Sequence, residues 1–226
     1  MAVYQLDDEL WFPDPHLGDP DGEIAVGGDL SAPRLLLAYS CGFFPWFSFK
    51  WYDEPHWYCP MQRFVIFPDE IHISHSMKQL IRQNRYEVTI NNDFEGVIKN
   101  CSVAQSRNEE MGAWLGGDMI KAYTELHRLG YASSVEVWET SAMEGGNKER
   151  RLVGGLYGVT MRKAFFGESM FSLVPNASKL ALIYLAKTLS AQGWHFIDCQ
   201  FETPLFRSMG GKHIHYDTYM QILNDE

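Results

Sequence analysis

Residues 152–200 constrain the fold more than any other stretch of the chain. Two glycine-punctuated, aromatic-rich runs, Leu152-Val-Gly-Gly-Leu-Tyr-Gly-Val-Thr-Met161 and Lys163-Ala-Phe-Phe-Gly-Glu-Ser-Met-Phe-Ser172, meet around Arg162, which predicts adjacent strands joined by a very short turn. Asn176 then stands as the N-cap of an apolar-periodic helix to about Ala191, with leucine or isoleucine at 180, 182, 183, 185 and 189 and Gly193 just past its end. Trp194-His-Phe-Ile-Asp-Cys-Gln200 follows as a buried strand that ends in polar residues.

Side chains alternate along a strand, so this pattern puts Phe196, Asp198 and Gln200 on one face and Ile197 and Cys199 on the other. Two readings of the polar pair stand open. In one, a carboxylate and an amide project together from an acyltransferase-like core that an amine can approach. In the other, Asp198 caps a loop and Gln200 is solvated, as residues at strand ends commonly are.

The N-terminal part, Phe12 to about Pro68, is rich in turns and aromatics. Asp19-Pro-Asp-Gly22 and Gly27-Gly28-Asp29 read as tight turns, and Ser31 caps a short helix from Pro33 to Tyr39 that Gly42 closes. Phe43-Phe-Pro-Trp-Phe47, Trp51-Tyr52 and Trp57-Tyr58 follow, and most of these rings belong in a core. Beyond them, Arg63–Phe67 reads as a strand, Ser74 or Ser76 starts a helix through about Asn84, and Tyr86–Ile90 alternates as a strand. Asp93 caps a helix over 94–101, a further helix runs from about Asp118 to Gly130, and Ser133–Trp138 returns as a strand. Strands alternating with helices predict an α/β or α+β mixed sheet. Ser141 to Arg151, with Gly145-Gly146-Asn147 and the basic run Lys148-Glu-Arg-Arg151, reads as an exposed loop.

Composition excludes several classes. The 226 residues carry a formal net charge of -10, against what phosphate-driven nucleic-acid binding asks of a generic binder. The first residues are acidic and lack the apolar centre of a signal peptide, and no apolar run of about 18 residues could span a membrane. Cys41, Cys59, Cys101 and Cys199 show no paired spacing, which predicts free thiols in a cytoplasmic protein. His72 and His75, and His213 and His215, lack a second cluster with ligand spacing, so no metal is expected. No serine-nucleophile elbow, phosphate-binding P-loop or zinc-protease helix motif occurs. An acetyl-coenzyme A transferase needs glycine and free N–H groups where the core strand meets the next helix. Here Val174-Pro-Asn-Ala-Ser-Lys179 has neither a glycine nor, at Pro175, a donor.

Phe12-Pro-Asp-Pro, Gly22-Glu-Ile-Ala-Val-Gly-Gly-Asp-Leu-Ser31, Gly42-Phe-Phe-Pro-Trp-Phe-Ser48, Gly167-Glu-Ser-Met-Phe-Ser172, Asn176-Ala-Ser-Lys179 and Ile197-Asp-Cys-Gln200 together resemble the leucyl/phenylalanyl-tRNA-protein transferase family over nearly the whole chain. The resemblance implies an enzyme without cofactor that moves Leu or Phe, with Met as a third candidate, from aminoacyl-tRNA to the α-amine of proteins beginning with Arg or Lys. That product is an N-end-rule degradation signal. It also implies an α+β fold, with a small N-terminal domain over residues 1–68 and an N-acetyltransferase-like catalytic domain over 69–226, acting as a monomer. By the same resemblance Asp198 and Gln200 are the catalytic pair, and Glu168 is an active-site carboxylate near the aminoacyl-adenosine. Trp46 and Trp114 hold the tRNA 3′ end, while Leu156, Phe165, Met170, Leu182, Leu185 and Ile197 line an apolar pocket for the donor side chain. A coenzyme A-dependent N-acetyltransferase and a non-catalytic binder of basic protein N-termini are the rival readings.

Overall fold

A computed structural model of the chain describes residues 3–18, 22–46, 54–106, 115–142 and 148–225. Most of the Asp19–Gly22 turn, the pair Trp51-Tyr52, Trp114 and the Gly145–Asn147 segment lie outside the described residues.

The N-terminal part builds a small sheet from β1 (Tyr4–Leu6), β2 (Glu23–Gly27), β3 (Phe44–Pro45) and β4 (His56–Tyr58), with helix α1 (Ala32–Ser40) between β2 and β3. Its strand order is β1-β2-β4-β3. Ser31 caps α1 by accepting from the Arg34 N–H, and Gly27, Gly28 and Gly42 all take positive φ where the chain turns.

The larger unit contains β5 (Gln62–Ile66), α2 (His75–Arg82), β6 (Tyr86–Ile90), α3 (Phe94–Ser106), α4 (Gly117–Arg128), β7 (Ala132–Ala142), β8 (Lys148–Met161), β9 (Ala164–Ser172), α5 (Ala177–Ala191), β10 (Phe196–Asp198), α6 (Pro204–Ser208), β11 (Lys212–His215) and α7 (Tyr216–Leu223). Its seven strands run in the order β11-β5-β10-β9-β8-β7-β6. β5, upstream of residue 68, is therefore a strand of the larger sheet. Among the described residues the larger sheet is mixed, with one parallel pair, β9 with β10, set among antiparallel neighbours.

The β8–β9 hairpin closes on Arg162 and Lys163, both at positive φ, as a two-residue loop between twisted strands requires. The segment around Lys148–Arg151, expected as loop, is instead the start of β8, paired with Glu139–Ala142 of β7. α5 begins after Asn176 as expected, but Asn176 sits in the left-handed region and its side chain makes no cap. The Ser172 hydroxyl accepts from the Ser178 N–H in its place.

α5 covers one face of the sheet. Leu180, Leu182, Ile183, Leu185 and Leu189 pack there with Leu156, Phe165 and Ile197, each buried aliphatic side chain contributing roughly 1.5–3 kcal/mol. α3, α4 and α1 cover the other face, where Phe166, Phe171, Tyr157 and Phe196 meet Tyr39, Val97, Met119 and Tyr123. No helix among the described residues is long and apolar enough to cross a membrane.

Candidate active site

Two irregularities of the sheet make the site. The first is a bulge in β9. Phe165 and Met170 face α5 while Phe166 and Phe171 face α3 and α4, an odd spacing of like residues that a regular strand cannot give. The pairings Gly158↔Gly167 and Tyr157↔Ser169 skip Glu168, which is the extra residue, and its carboxylate turns toward the helices α1 and α4. Gly158 accommodates the bulge: a Cβ there would lie 2.1 Å from the Phe166 carbonyl oxygen.

The second irregularity is a parting of strands. β10 pairs in parallel with β9 only from Phe196↔Ala164 to Asp198↔Phe166. Beyond Asp198 the chain follows β5, with the Cys199 N–H donating to the Phe64 carbonyl at 2.9 Å and the Phe64 N–H to the Gln200 carbonyl at 3.3 Å. β9 stays with β8, so a gap opens between Gly167–Glu168 and Cys199–Gln200. Behind it lies a cavity of about 120 Å³. Leu156, Phe165, Met170, Leu182, Ile197 and Phe206 form its apolar wall, and Glu168, Ser169, Asp198 and Gln200 its polar side.

The expectation that Gln200 continues the strand face of Asp198 is overturned. β10 ends at Asp198, and Gln200 takes a φ of 64°, turned back so that its own N–H donates to Asp198 Oδ1 at 2.8 Å. A short side-chain acceptor capturing the N–H two residues on competes with the strand ladder and ends it. Alternation does hold up to that point, with Phe196 and Ile197 in opposite halves of the core.

Asp198 is fully buried, and both its oxygens are occupied. Arg63 Nε reaches Oδ1 at 2.9 Å and Oδ2 at 3.0 Å, Arg63 Nη2 donates to Oδ2 at 2.8 Å, and the Tyr219 hydroxyl donates to Oδ2 at 3.0 Å. Arg63 Nη1 donates to the Gly42 carbonyl at 2.9 Å, and the guanidinium lies over the rings of Phe44 and Tyr219. Burial, the largest single influence, would loosen its proton, but the Asp198 charge and hydrogen bonds together with Tyr219 hold Arg63 above its ordinary value. Arg63, Tyr219, Tyr39 and Tyr123 are the functional candidates that sequence reading passed over. Arg63 reads as the polar start of an apolar strand, and Tyr39 and Tyr123 as apolar positions of helices.

Glu168 is nearly as buried and is bonded differently. The Tyr39 hydroxyl donates to Oε1 at 2.7 Å, the Tyr123 hydroxyl oxygen lies 2.7 Å from Oε2, and Gln200 Nε2 donates to Oε1 at 3.2 Å. Burial is the largest influence on its acidity and raises it to about 7, with the tyrosine hydroxyls opposing.

Of the other expected residues, Leu185 is a buried core residue of α5 and does not line the cavity. Trp46 is half-buried at the outer edge of the site, its ring 4.9 Å from Phe201 and 5.3 Å from Tyr58, next to the Gln200 turn. Trp114 lies outside the described residues. His213 pairs with Glu202 and His215 with Asp217. Among the described residues no group of three His, Cys, Asp or Glu side chains is placed to hold a metal ion.

Residues 65–224 match the family model described as leucyl/phenylalanyl-tRNA protein transferase, and residues 28–61 match that family's N-terminal domain. The leucyl/phenylalanyl-tRNA–protein transferase of Syntrophotalea carbinolica is 45% identical, with 100% of this chain and 93% of that one covered. The enzyme of the same name from Thermodesulfovibrio yellowstonii is 42% identical, covering 100% and 87%. That from Flavobacterium psychrophilum is 44% identical, covering 98% and 99%. The structure of L-PGS from Bacillus licheniformis aligns with a TM-score of 0.40 at 11% identity, over 80% of this chain and 54% of that one. With both domain models matched and relatives of this identity along its whole length, the chain belongs to the leucyl/phenylalanyl-tRNA–protein transferase family and is an aminoacyltransferase.

Proposed function

We propose that the protein transfers Leu or Phe from aminoacyl-tRNA to the α-amine of proteins beginning with Arg or Lys, producing an N-end-rule degradation signal in the cytoplasm. The observation that carries this reading is the cavity at the strand gap. Its apolar wall and volume of about 120 Å³ suit one branched aliphatic or aromatic side chain, being close to the roughly 150 Å³ of an apolar cavity known to hold benzene. Free thiols at all four cysteines fit a reducing compartment.

With the donor side chain in the cavity, its ester carbonyl comes to the polar side formed by Glu168 and Gln200. The ester is already activated, so the protein's task is to hold an uncharged amine within attack range and to stabilise the tetrahedral oxyanion. Gln200 is the group that reaches the substrate, its amide anchored through Nε2 on Glu168. Asp198, with no free oxygen and no exposure, acts as a positioning residue by fixing the Gln200 backbone turn. Trp46, beside that turn, is a stacking surface for the terminal adenosine. Incubation with labelled leucyl-tRNA and an Arg-starting peptide tests the reading: label in the peptide supports it. Label that stays on the tRNA or is released as free Leu overturns it.

A further inference from the structure

Three oxygen contacts around Glu168 form a closed loop. Beside the 2.7 Å contacts of Tyr39 with Oε1 and Tyr123 with Oε2, the two hydroxyl oxygens lie 2.7 Å from each other. Each distance is that of a made O–H···O bond, so each contact holds a hydrogen. The two phenols supply one apiece and keep them, because burial pushes both hydroxyls well above their ordinary value. Two hydrogens do not fill three contacts. If Glu168 were ionised, one oxygen pair would meet lone pair to lone pair beside two tyrosines that have no exposure to solvent.

We propose that Glu168, Tyr39 and Tyr123 form a three-proton ring in which Glu168 is a neutral carboxylic acid, and that through it the two tyrosines are positioning residues for Gln200. The direction of the ring follows from Gln200. Oε1 already accepts from both Tyr39 and Gln200 Nε2, so it is the carbonyl oxygen and Oε2 carries the proton. Oε2 then donates to Tyr123, Tyr123 to Tyr39 and Tyr39 to Oε1. Gln200 can meet that oxygen only with its NH₂ end, which leaves its own carbonyl oxygen as an acceptor for an N–H of the incoming amine.

The chemistry rests on the transferase reading above. Attack forms the C–N bond as the ester C–O bond breaks, and the proton lost by the amine ends on the departing ribose oxygen, so nothing else is consumed. A carboxylate beside that centre would hold the amine as ammonium and repel the growing oxyanion, whereas a neutral acid does neither. Burial is the main force keeping Glu168 protonated. Tyr123 on α4 and Tyr39 on α1 oppose it when their hydroxyls point at an ionised carboxylate, Asp198 of β10 assists and Arg63 of β5 opposes. Tyr157 of β8, also buried, lies within the field of the same carboxyl.

Two measurements on the full chain test the proposal. Difference infrared spectra from acidic to alkaline pH are expected to show a protonated-carboxyl carbonyl band that fades with a midpoint near 7 and is missing in Glu168→Gln. Absence of the band from wild type at every pH where the protein is folded overturns the ring, whatever the transfer assay gives. Conversely, a band without any transfer to the Arg-starting peptide leaves the ring standing and removes the transferase reading. In single-turnover transfer with saturating leucyl-tRNA, Tyr39→Phe and Tyr123→Phe should each lower the maximal rate by about tenfold or more with the donor KM little changed, as lost orientation does. A fall in rate toward alkaline pH is expected in wild type and should be missing in Glu168→Gln. Phe variants with the wild-type rate and pH profile would reduce the ring to packing and sink its positioning role.

Discussion

Asp198 and Gln200 sit two residues apart, yet their burial assigns them different work. Asp198 neutralises a guanidinium that is itself fully buried, so Asp198→Asn leaves Arg63 charged and unpaired. Removing one partner of a buried pair costs about 3–5 kcal/mol. A urea-unfolding midpoint lowered to match is the expected result for Asp198→Asn, together with a fall in transfer of on the order of 10²-fold as the Gln200 turn loosens. Gln200 is partly exposed and among the described residues its side chain bonds the Glu168 carboxyl, so Gln200→Ala should lose transfer while unfolding close to wild type. An Asp198→Asn protein as stable as wild type would show that the pair does not hold this turn. At the cavity wall, Leu156→Ala enlarges a site now sized for one side chain. The change should favour phenylalanyl over leucyl donor, by at most ~200-fold because apolar pockets discriminate weakly. An unchanged ratio of the two donors' kcat/KM would take Leu156 out of the donor site.

At the scale of elements, glycines at two positions do opposite jobs. Gly158 leaves room for the bulge that aims Glu168, and an added Cβ would strike both the Phe166 carbonyl and the Phe165 ring. Gly193 ends α5 at a φ of 69° with open space around it. Gly158→Ala is therefore expected to destabilise by overpacking, about 1–3 kcal/mol, and to push Phe165 into the proposed donor cavity, weakening transfer as well. Gly193→Ala should cost roughly 1 kcal/mol from backbone strain and leave transfer alone. Equal transfer losses in the two variants would count against the bulge as the device that aims the site. The elements were largely readable because their signals are local: the Arg162 turn, the Ser31, Ser74 and Asp93 caps, and the alternation of Tyr86–Ile90 all lie within a few residues of what they specify. Even the bulge has a trace, in the five-residue step from Phe165-Phe166 to Met170-Phe171. The Gln200 turn has none, because the apolar and polar alternation runs on past the residue where β10 leaves β9. Nor has the Arg63–Asp198 pair, whose members are 135 positions apart and meet only when β5 lies beside β10. Tyr219 likewise meets Asp198 only when α7 packs beside β5.

Across the whole molecule, Glu168 and the surface carboxylates pull stability in opposite directions with pH. Glu168 has a folded-state value of about 7, raised by burial from an ordinary 4.5, so the folded chain holds a proton that the unfolded chain has released between these values. Stability then falls as pH rises from about 4.5 to about 7 and levels off above, because over that window the folded state binds more protons than the unfolded one. The span corresponds to a loss on the order of 3 kcal/mol. Glu202 is shifted the other way, to about 2, first by its hydrogen bond with Arg207 and next by that with His213, and Asp14 is lowered by His16. Their contributions are present above the ordinary carboxylate range and are lost as pH falls through their lowered values. These groups are exposed, so solvent and salt screen them and the Glu168 slope is the larger. The stability maximum is accordingly expected on the acid side of neutrality, near the ordinary carboxyl value and below pH 7. Urea-unfolding curves collected across that window should show the wild-type midpoint declining as pH rises and then flattening. In Glu168→Gln, where an amide replaces the titrating group, the decline should be absent. A wild-type midpoint that climbs steadily from acid to neutral pH would mean that Glu168 folds into the protein already ionised.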